Sequence, residues 1–161
     1  MPDPFEALGL SRGWPLDPDS VRIAQRRAAA AWHPDRFPDP ARRSEAIARL
    51  AAANEAAGRL LDPVAGAQAL LDALAPAPRP AEPKPEPAFL MVMMEVRESI
   101  DGGGDAAEAR LVIDRERARA ERDAAAAFAR LMGGDGTAWP PAAEAVGRLR
   151  ALRRADEGAG R

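Results

Sequence analysis

Six prolines fall within the thirteen residues of "APAPRPAEPKPEP", Ala75 to Pro87. Proline has no backbone N–H and a fixed φ, so this stretch excludes both a helix interior and a central strand. It divides the 161-residue chain into residues 1–74 and residues 88–161, and each part must bury its own core. A run of this composition reads as a semi-rigid spacer. Serving as ligand for a proline-recognising domain is the other use open to it.

Both parts look helical. Alanine and arginine are abundant, tyrosine is absent, and few segments carry the β-branched and aromatic residues that strands prefer. The expected class is all-α. A formal net charge of −2 gives no global attraction for nucleic acid, so any basic site has to be local. There is no cysteine, which removes disulfides and thiolate metal ligands and suits a reducing cytoplasm. No apolar run approaches the roughly 20 residues of a membrane-spanning helix. Met1 to Leu10 is acidic and lacks the apolar core of a secretory signal. The expectation is a soluble cytoplasmic chain.

In the first part, "PFEALGL" reads as a short helix stopped by Gly9. A second helix starts in "LDPDSVRIAQRRAAAAW", with Asp17 as N-cap and Pro18 at the first helical position. Val21, Ala24, Ala28 and Trp32 share one face at helical spacing. Arg22 and Arg26 share another, with Arg27 further round. "PARRSEAIARLAAANEAAGRLL" is a longer helix, with an expected buried stripe of Ile47, Leu50, Ala51, Asn54, Ala57, Gly58 and Leu61. Small residues at Ala28, Ala57 and Gly58 would let the two long helices approach closely. Pro63 ends this helix or starts a short one, "VAGAQALLDAL".

The second part reads as three helices with short connections, hence an antiparallel bundle over residues 88–155. "GGGD" breaks the first at Gly102, a charged second runs from about Asp105 to Met132, and the third spans "WPPAAEAVGRLRALRRA". Asp135 or Thr137 would cap the third, and residues 156–161 are expected to be a disordered tail. The first of these helices lies in "AFLMVMMEVRESID", which holds too many apolar residues for one face. At about 100° per residue, Phe89, Val92, Met93, Val96 and Ile100 make a core face. Leu90, Met91 and Met94 fall roughly opposite, interleaved with Glu98 and flanked by Glu95, Arg97 and Asp101. An apolar stripe with an acidic rim marks a binding site, and methionine suits an adaptable one. The alternative, a helix buried on both sides, is opposed by the cost of burying unpaired carboxylates.

"WHPDRF", Trp32 to Phe37, carries the only histidine, His33. A lone histidine at a helix end can simply complement the helix dipole. No second histidine or cysteine exists to complete a metal site, and no serine or cysteine nucleophile constellation accompanies it. Neither a cofactor nor enzymatic chemistry is expected.

The surroundings of that tripeptide resemble the J-domain of DnaJ-type co-chaperones. "FEALGL" sits at the first-helix signature, and Arg26 and Arg27 match the basic pair of helix II. Trp32 replaces the usual tyrosine before His33-Pro34-Asp35, and Arg36 and Phe37 match the basic–aromatic pair that follows. Asn54, Glu55, Ala56, Leu60, Asp62 and Pro63 match the end of helix III. Ala57 departs, standing where the family usually has an aromatic, as does "GAQALL", which lacks a tyrosine. The resemblance covers about residues 3–74. It implies that His33, Pro34, Asp35, Arg22, Arg26, Arg27 and Arg36 contact a heat-shock protein 70 ATPase and stimulate its hydrolysis.

"FLMVMMEVRESID" is similar to the first helix of the C-terminal domain of HscB, the J-type co-chaperone of iron–sulfur cluster assembly. The order and lengths of J-domain, linker and three-helix domain also match. The resemblance implies an IscU-type scaffold bound through Leu90, Met91, Met94, Glu95 and Glu98, and an HscA/DnaK-type chaperone as the second partner. Two family positions depart, an acidic one at Gly102 and an aromatic one at Ala151. Another client, or a C-terminal half that makes a homodimer, is the alternative. Nucleic acid and membrane are not expected partners.

Overall fold

The computed structural model describes residues 3–102 and 106–159. Among them the chain is all-α. Seven helices run in order as α1 (Pro4–Leu8), α2 (Pro18–Ala31), α3 (Pro40–Leu61), α4 (Pro63–Ala73), α5 (Pro87–Asp101), α6 (Ala106–Met132) and α7 (Trp139–Ala159). Two 3-10 turns lie at Pro34–Arg36 and Gly136–Ala138. Proline opens each of the first five helices, where its missing N–H would have had no intrahelical acceptor. The chain divides into two compact units, Met1–Ala73 and Leu74–Arg161.

In the first unit, Asp3 caps α1 by accepting from the Phe5 N–H, and Gly9 closes it at φ 62°, a backbone region that favours glycine. Asp17 caps α2 as its sequence predicts, accepting from the N–H groups of Asp19 and Ser20. Asp39 caps α3, and Asp62 both ends α3 and accepts from Val64 and Ala65 at the start of α4. The α2–α3 hairpin is tied by Gln25 Nε2 donating to Asn54 Oδ1 at 3.0 Å.

The core of this unit corrects the stripe expected on α3. The buried α3 residues are Ala46, Ala53, Ala56, Ala57 and Leu60. Ile47 is 52% exposed, and Ala51, Asn54 and Gly58 also face solvent. α3 packs against α1, α2 and α4 at once. The bulky side chains come from those partners, with Phe5, Leu8, Val21, Leu70 and Leu71 all buried. Alanine supplies the shallow complementary surface, because interiors are filled to near-crystalline density. Gly58 has no close neighbour within 4 Å of where a Cβ would sit, so close approach does not require it.

The Asp3 carboxyl is drawn two ways. Burial raises its pKa, but hydrogen bonds from Arg12 and the Phe5 N–H outweigh this and hold it below its ordinary value of 3.8. A lowered folded pKa adds stability that is complete above the ordinary value and is lost as pH falls through the lowered one. Asp3→Asn is therefore expected to lower Tm at neutral pH, with the gap to wild type closing in acid. A gap independent of pH in thermal unfolding would exclude this ionic contribution.

In the second unit α6 and α7 form the main pair and α5 packs across both. The core holds Phe89, Val96, Ile113, Phe128, Trp139, Val146, Leu149 and Leu152 among many alanines. Asp135 accepts from the Thr137 N–H and caps the 3-10 turn that leads into α7. Thr137 and then Arg130 hold the Asp135 carboxyl below its ordinary pKa. Arg148 is only 6% exposed. Its two terminal nitrogens bond Glu116 at 3.0 Å and Asp123 at 3.1 Å, and its guanidinium carbon lies 5.2 Å from the Phe89 ring centroid.

Two sequence expectations change here. The proline-rich stretch is more than a spacer, because Glu82 accepts from Arg150 at 2.6 Å and Arg79 lies over the Trp139 ring. The expected tail is helical through Ala159, and Asp156 pairs with Arg117 at 2.8 Å. The expected α6 start at Asp105 falls outside the described residues.

Candidate functional site

The His-Pro-Asp turn follows from local chemistry. Pro34 disfavours helix for the residue before it, so α2 stops at Ala31 with Trp32 as its C-cap. His33 takes an extended conformation (φ −66°, ψ 126°) and caps a 3-10 turn over Pro34–Arg36. Its Nδ1 accepts from the Asp35 N–H at 3.4 Å and lies 3.7 Å from the Asp35 carboxylate. Both side chains are largely exposed. Arg36 Nη1 donates to the Ala30 carbonyl at 2.5 Å and draws the turn back onto the end of α2.

Arg22, Arg26 and Arg27 are exposed on α2. Arg22 pairs with Asp19 at 3.0 Å, whereas Arg26 and Arg27 have no ion-pair partner among the described residues. Exposed Ile23 sits three and four residues before Arg26 and Arg27, and so shares their side of the helix. The basic face thus carries an apolar residue that the charge pattern alone did not single out.

On α5 the helical wheel is resolved. Phe89 and Val96 are buried, and Val92, Met93 and Ile100 are half-buried. Leu90, Met91 and Met94 are 47%, 64% and 62% exposed. Glu95 and Glu98 lie on the surface beside them. Single exposed apolar residues are ordinary, but three on one helix face are a contiguous patch of the kind that binds partners. At Gly102, α5 ends with the glycine N–H bonded to the Glu98 carbonyl. A Cβ there would come within 2.8 Å of that carbonyl oxygen, so this helix end does not accept an acidic side chain without moving. Ala151 is half-buried on α7.

Two arginines near the turn, Arg43 and Arg49, were not anticipated. Arg43 Nε donates to the Phe37 carbonyl at 3.1 Å and Arg43 Nη2 to the Pro38 carbonyl at 3.4 Å. Arg49 lies over the Trp32 ring, which stacks on Phe37. The run "PARR" at the start of α3 hints at Arg43 alone, and it names no partner.

Among the described residues, no group of three His, Cys, Asp or Glu could hold a metal ion, and no helix is long and apolar enough to cross a membrane. A helical hairpin that turns at His-Pro-Asp is the mark of the J-domain co-chaperones, and this is the class the fold defines. The family model described as the HSCB C-terminal oligomerisation domain matches residues 85–159. The co-chaperone protein HscB homolog of Bordetella petrii is 34% identical over 133 residues, covering 81% of this chain and 78% of that one. Its Bordetella pertussis counterpart is 38% identical over 102 residues, covering 62% and 60%. The crystal structure of human co-chaperone protein HscB superposes with a TM-score of 0.80 at 16% identity, covering 99% of this chain and 81% of that one. Chaperone HscB from Vibrio cholerae superposes with a TM-score of 0.69 at 25% identity, covering 98% and 95%. The chain belongs to the HscB co-chaperone family. It is a co-chaperone and not an enzyme.

Proposed function

We propose that this chain works in the cytoplasm, joining an IscU-type iron–sulfur scaffold to an HscA/DnaK-type ATPase and stimulating that ATPase, so that the cluster is transferred. The observation that carries the reading is the α5 face, with Leu90, Met91 and Met94 exposed beside Glu95 and Glu98. The apolar side chains supply burial energy to the scaffold contact, and the carboxylates fix its register against basic groups. On the first unit, Arg22, Arg26 and Arg27 steer onto an acidic chaperone surface, and His33, Pro34, Asp35 and Arg36 engage it at the turn. ATP hydrolysis then tightens the chaperone on the delivered scaffold. The work of this chain is tethering, coupled to allosteric activation of its partner.

Leu90→Ala and Met91→Ala are expected to weaken scaffold binding by roughly tenfold to a hundredfold each, the range for truncating a buried interface anchor. Helix content should be unchanged, because both side chains already face solvent. Titration calorimetry against an IscU-type scaffold checks this, and unchanged affinity in both variants would count against the assigned face.

The family model's own description names oligomerisation, which favours a second reading in which the same α5 face pairs two copies of the chain. Sedimentation separates the two. The scaffold reading expects a monomer that gains the scaffold's mass, while the second expects a dimer that Met91→Ala dissociates.

A further inference from the structure

The His-Pro-Asp turn is exposed and is tied to its surroundings by arginines, Arg36 on the Ala30 carbonyl and Arg43 on the Phe37 and Pro38 carbonyls. None of its three residues is buried. Its internal bonds are Arg36 N–H to the His33 carbonyl and Phe37 N–H to the Pro34 carbonyl, both 3.0 Å, and the longer bond to His33 Nδ1. These set the shape of the turn but not its aim. Beyond the Arg36 and Arg43 bonds, the aim is constrained by the rings on either side. Trp32 immediately precedes the tripeptide and Phe37 follows it by two residues, and their rings stack with centroids 5.9 Å apart and planes 13° from parallel.

That stack is continued from α3. The Arg49 guanidinium carbon lies 4.1 Å from the Trp32 ring centroid, within cation–π range. Glu45, one turn earlier on α3, holds Arg49 Nη2 at 2.6 Å. A chain of contacts therefore runs Glu45, Arg49, Trp32, Phe37, and joins a long helix to both ends of an exposed turn. Arginine suits this place because a planar cation can lie flat on an indole while keeping an ion pair at its edge.

We propose that Arg49 is a positioning residue for the His33-Pro34-Asp35 turn. It acts through Trp32, fixing the orientation in which the turn meets its chaperone, and touches no partner itself. This inference rests on the chaperone-stimulating role proposed above.

The test uses the full chain with an HscA/DnaK-type ATPase and three variants. Arg49→Gln keeps length and polarity but removes the cation. Arg49→Lys restores a cation without the plane. Glu45→Gln, at an exposed position, leaves Arg49 in place but removes its orienting carboxylate. A cation–π contact at an exposed site sustains a population ratio of about threefold, so the half-saturating concentration should rise by up to about that factor in Arg49→Gln, because only the correctly aimed fraction binds. Maximal stimulation should hold, since a saturating chaperone selects the aimed turn and His33, Pro34 and Asp35 are untouched. Glu45→Gln should shift that concentration less, and Arg49→Lys should recover part of the shift. His33 is the only histidine in the chain, so its imidazole proton signals in an NMR spectrum report on the turn without ambiguity. They should shift in Arg49→Gln while Tm stays near wild type.

Unchanged His33 signals in Arg49→Gln would overturn the positioning role, whatever the ATPase result. An unchanged half-saturating concentration in that variant would overturn it as well. A wild-type chain that stimulates no such ATPase, with the His33 signals still shifting in Arg49→Gln, would instead remove the chaperone reading and leave the clamp on the turn standing.

Discussion

His33→Gln is expected to abolish stimulation of an HscA/DnaK-type ATPase while leaving helix content intact. The imidazole does two things in one exposed place. Its Nδ1 accepts from the Asp35 N–H and caps the 3-10 turn, and its far edge is free to meet a partner. Glutamine lacks the ring nitrogen placed there, so the substitution removes the cap as well as the contact, while the two backbone bonds of the turn remain. Substitutions at exposed sites usually change stability by no more than about 0.5 kcal/mol, so the folded hairpin should survive. Single-turnover ATP hydrolysis together with circular dichroism gives both readouts. Full stimulation by the variant would defeat the role assigned to the turn.

Arg148→Ala is expected to destabilise the second unit by about 3–5 kcal/mol, the cost of breaking a buried ion pair from one side. The substitution strands the part-buried Glu116 carboxylate and removes a cation from the Phe89 ring. It also leaves a hole in a core built largely of alanine, which has few long side chains to collapse into it. Arg148→Met combined with Glu116→Gln should recover much of the loss, because the cost lies in the orphaned charge and the lost volume more than in the bond. Amide exchange of α6 and α7 during urea unfolding measures it. A loss below about 1 kcal/mol would mean that water reaches the pair and that it behaves as a surface ion pair.

What could be read from the residues beforehand was mostly punctuation. Proline with a preceding cap, as at Asp17-Pro18, sets a helix start by local geometry alone. Gly9, Pro34 and the six prolines of residues 75–87 are equally local. The division of α5 into two faces was also legible, because its apolar residues are large and a wheel separates them. α3 was not legible to the same degree. Alanine lies on nearly every side of it, so the pattern is almost flat and the register is decided by what α1, α2 and α4 press against it. Arg148 shows the same limit. In "VGRLRALRR" it cannot be told from Arg150 or Arg153, and only the carboxylates of α6, more than twenty residues away in sequence, decide which is buried. Arg49 on Trp32 is likewise a contact across the hairpin. The surfaces were thus readable where exposure followed from one helix, and unreadable where two helices had to meet.

The chain has a single lysine, so nearly all its positive charge is arginine. Those arginines sit in two dielectric settings. Arg26 and Arg27 stand in water, where about 0.15 M salt screens charge beyond roughly 8 Å. Arg148 is enclosed with Glu116, where counter-ions barely reach. Ionic strength is therefore a dial that acts on one and not the other. At high salt the α2 face should lose its long-range pull on a partner, and association should slow, while the Arg148–Glu116 contribution to the bundle is kept.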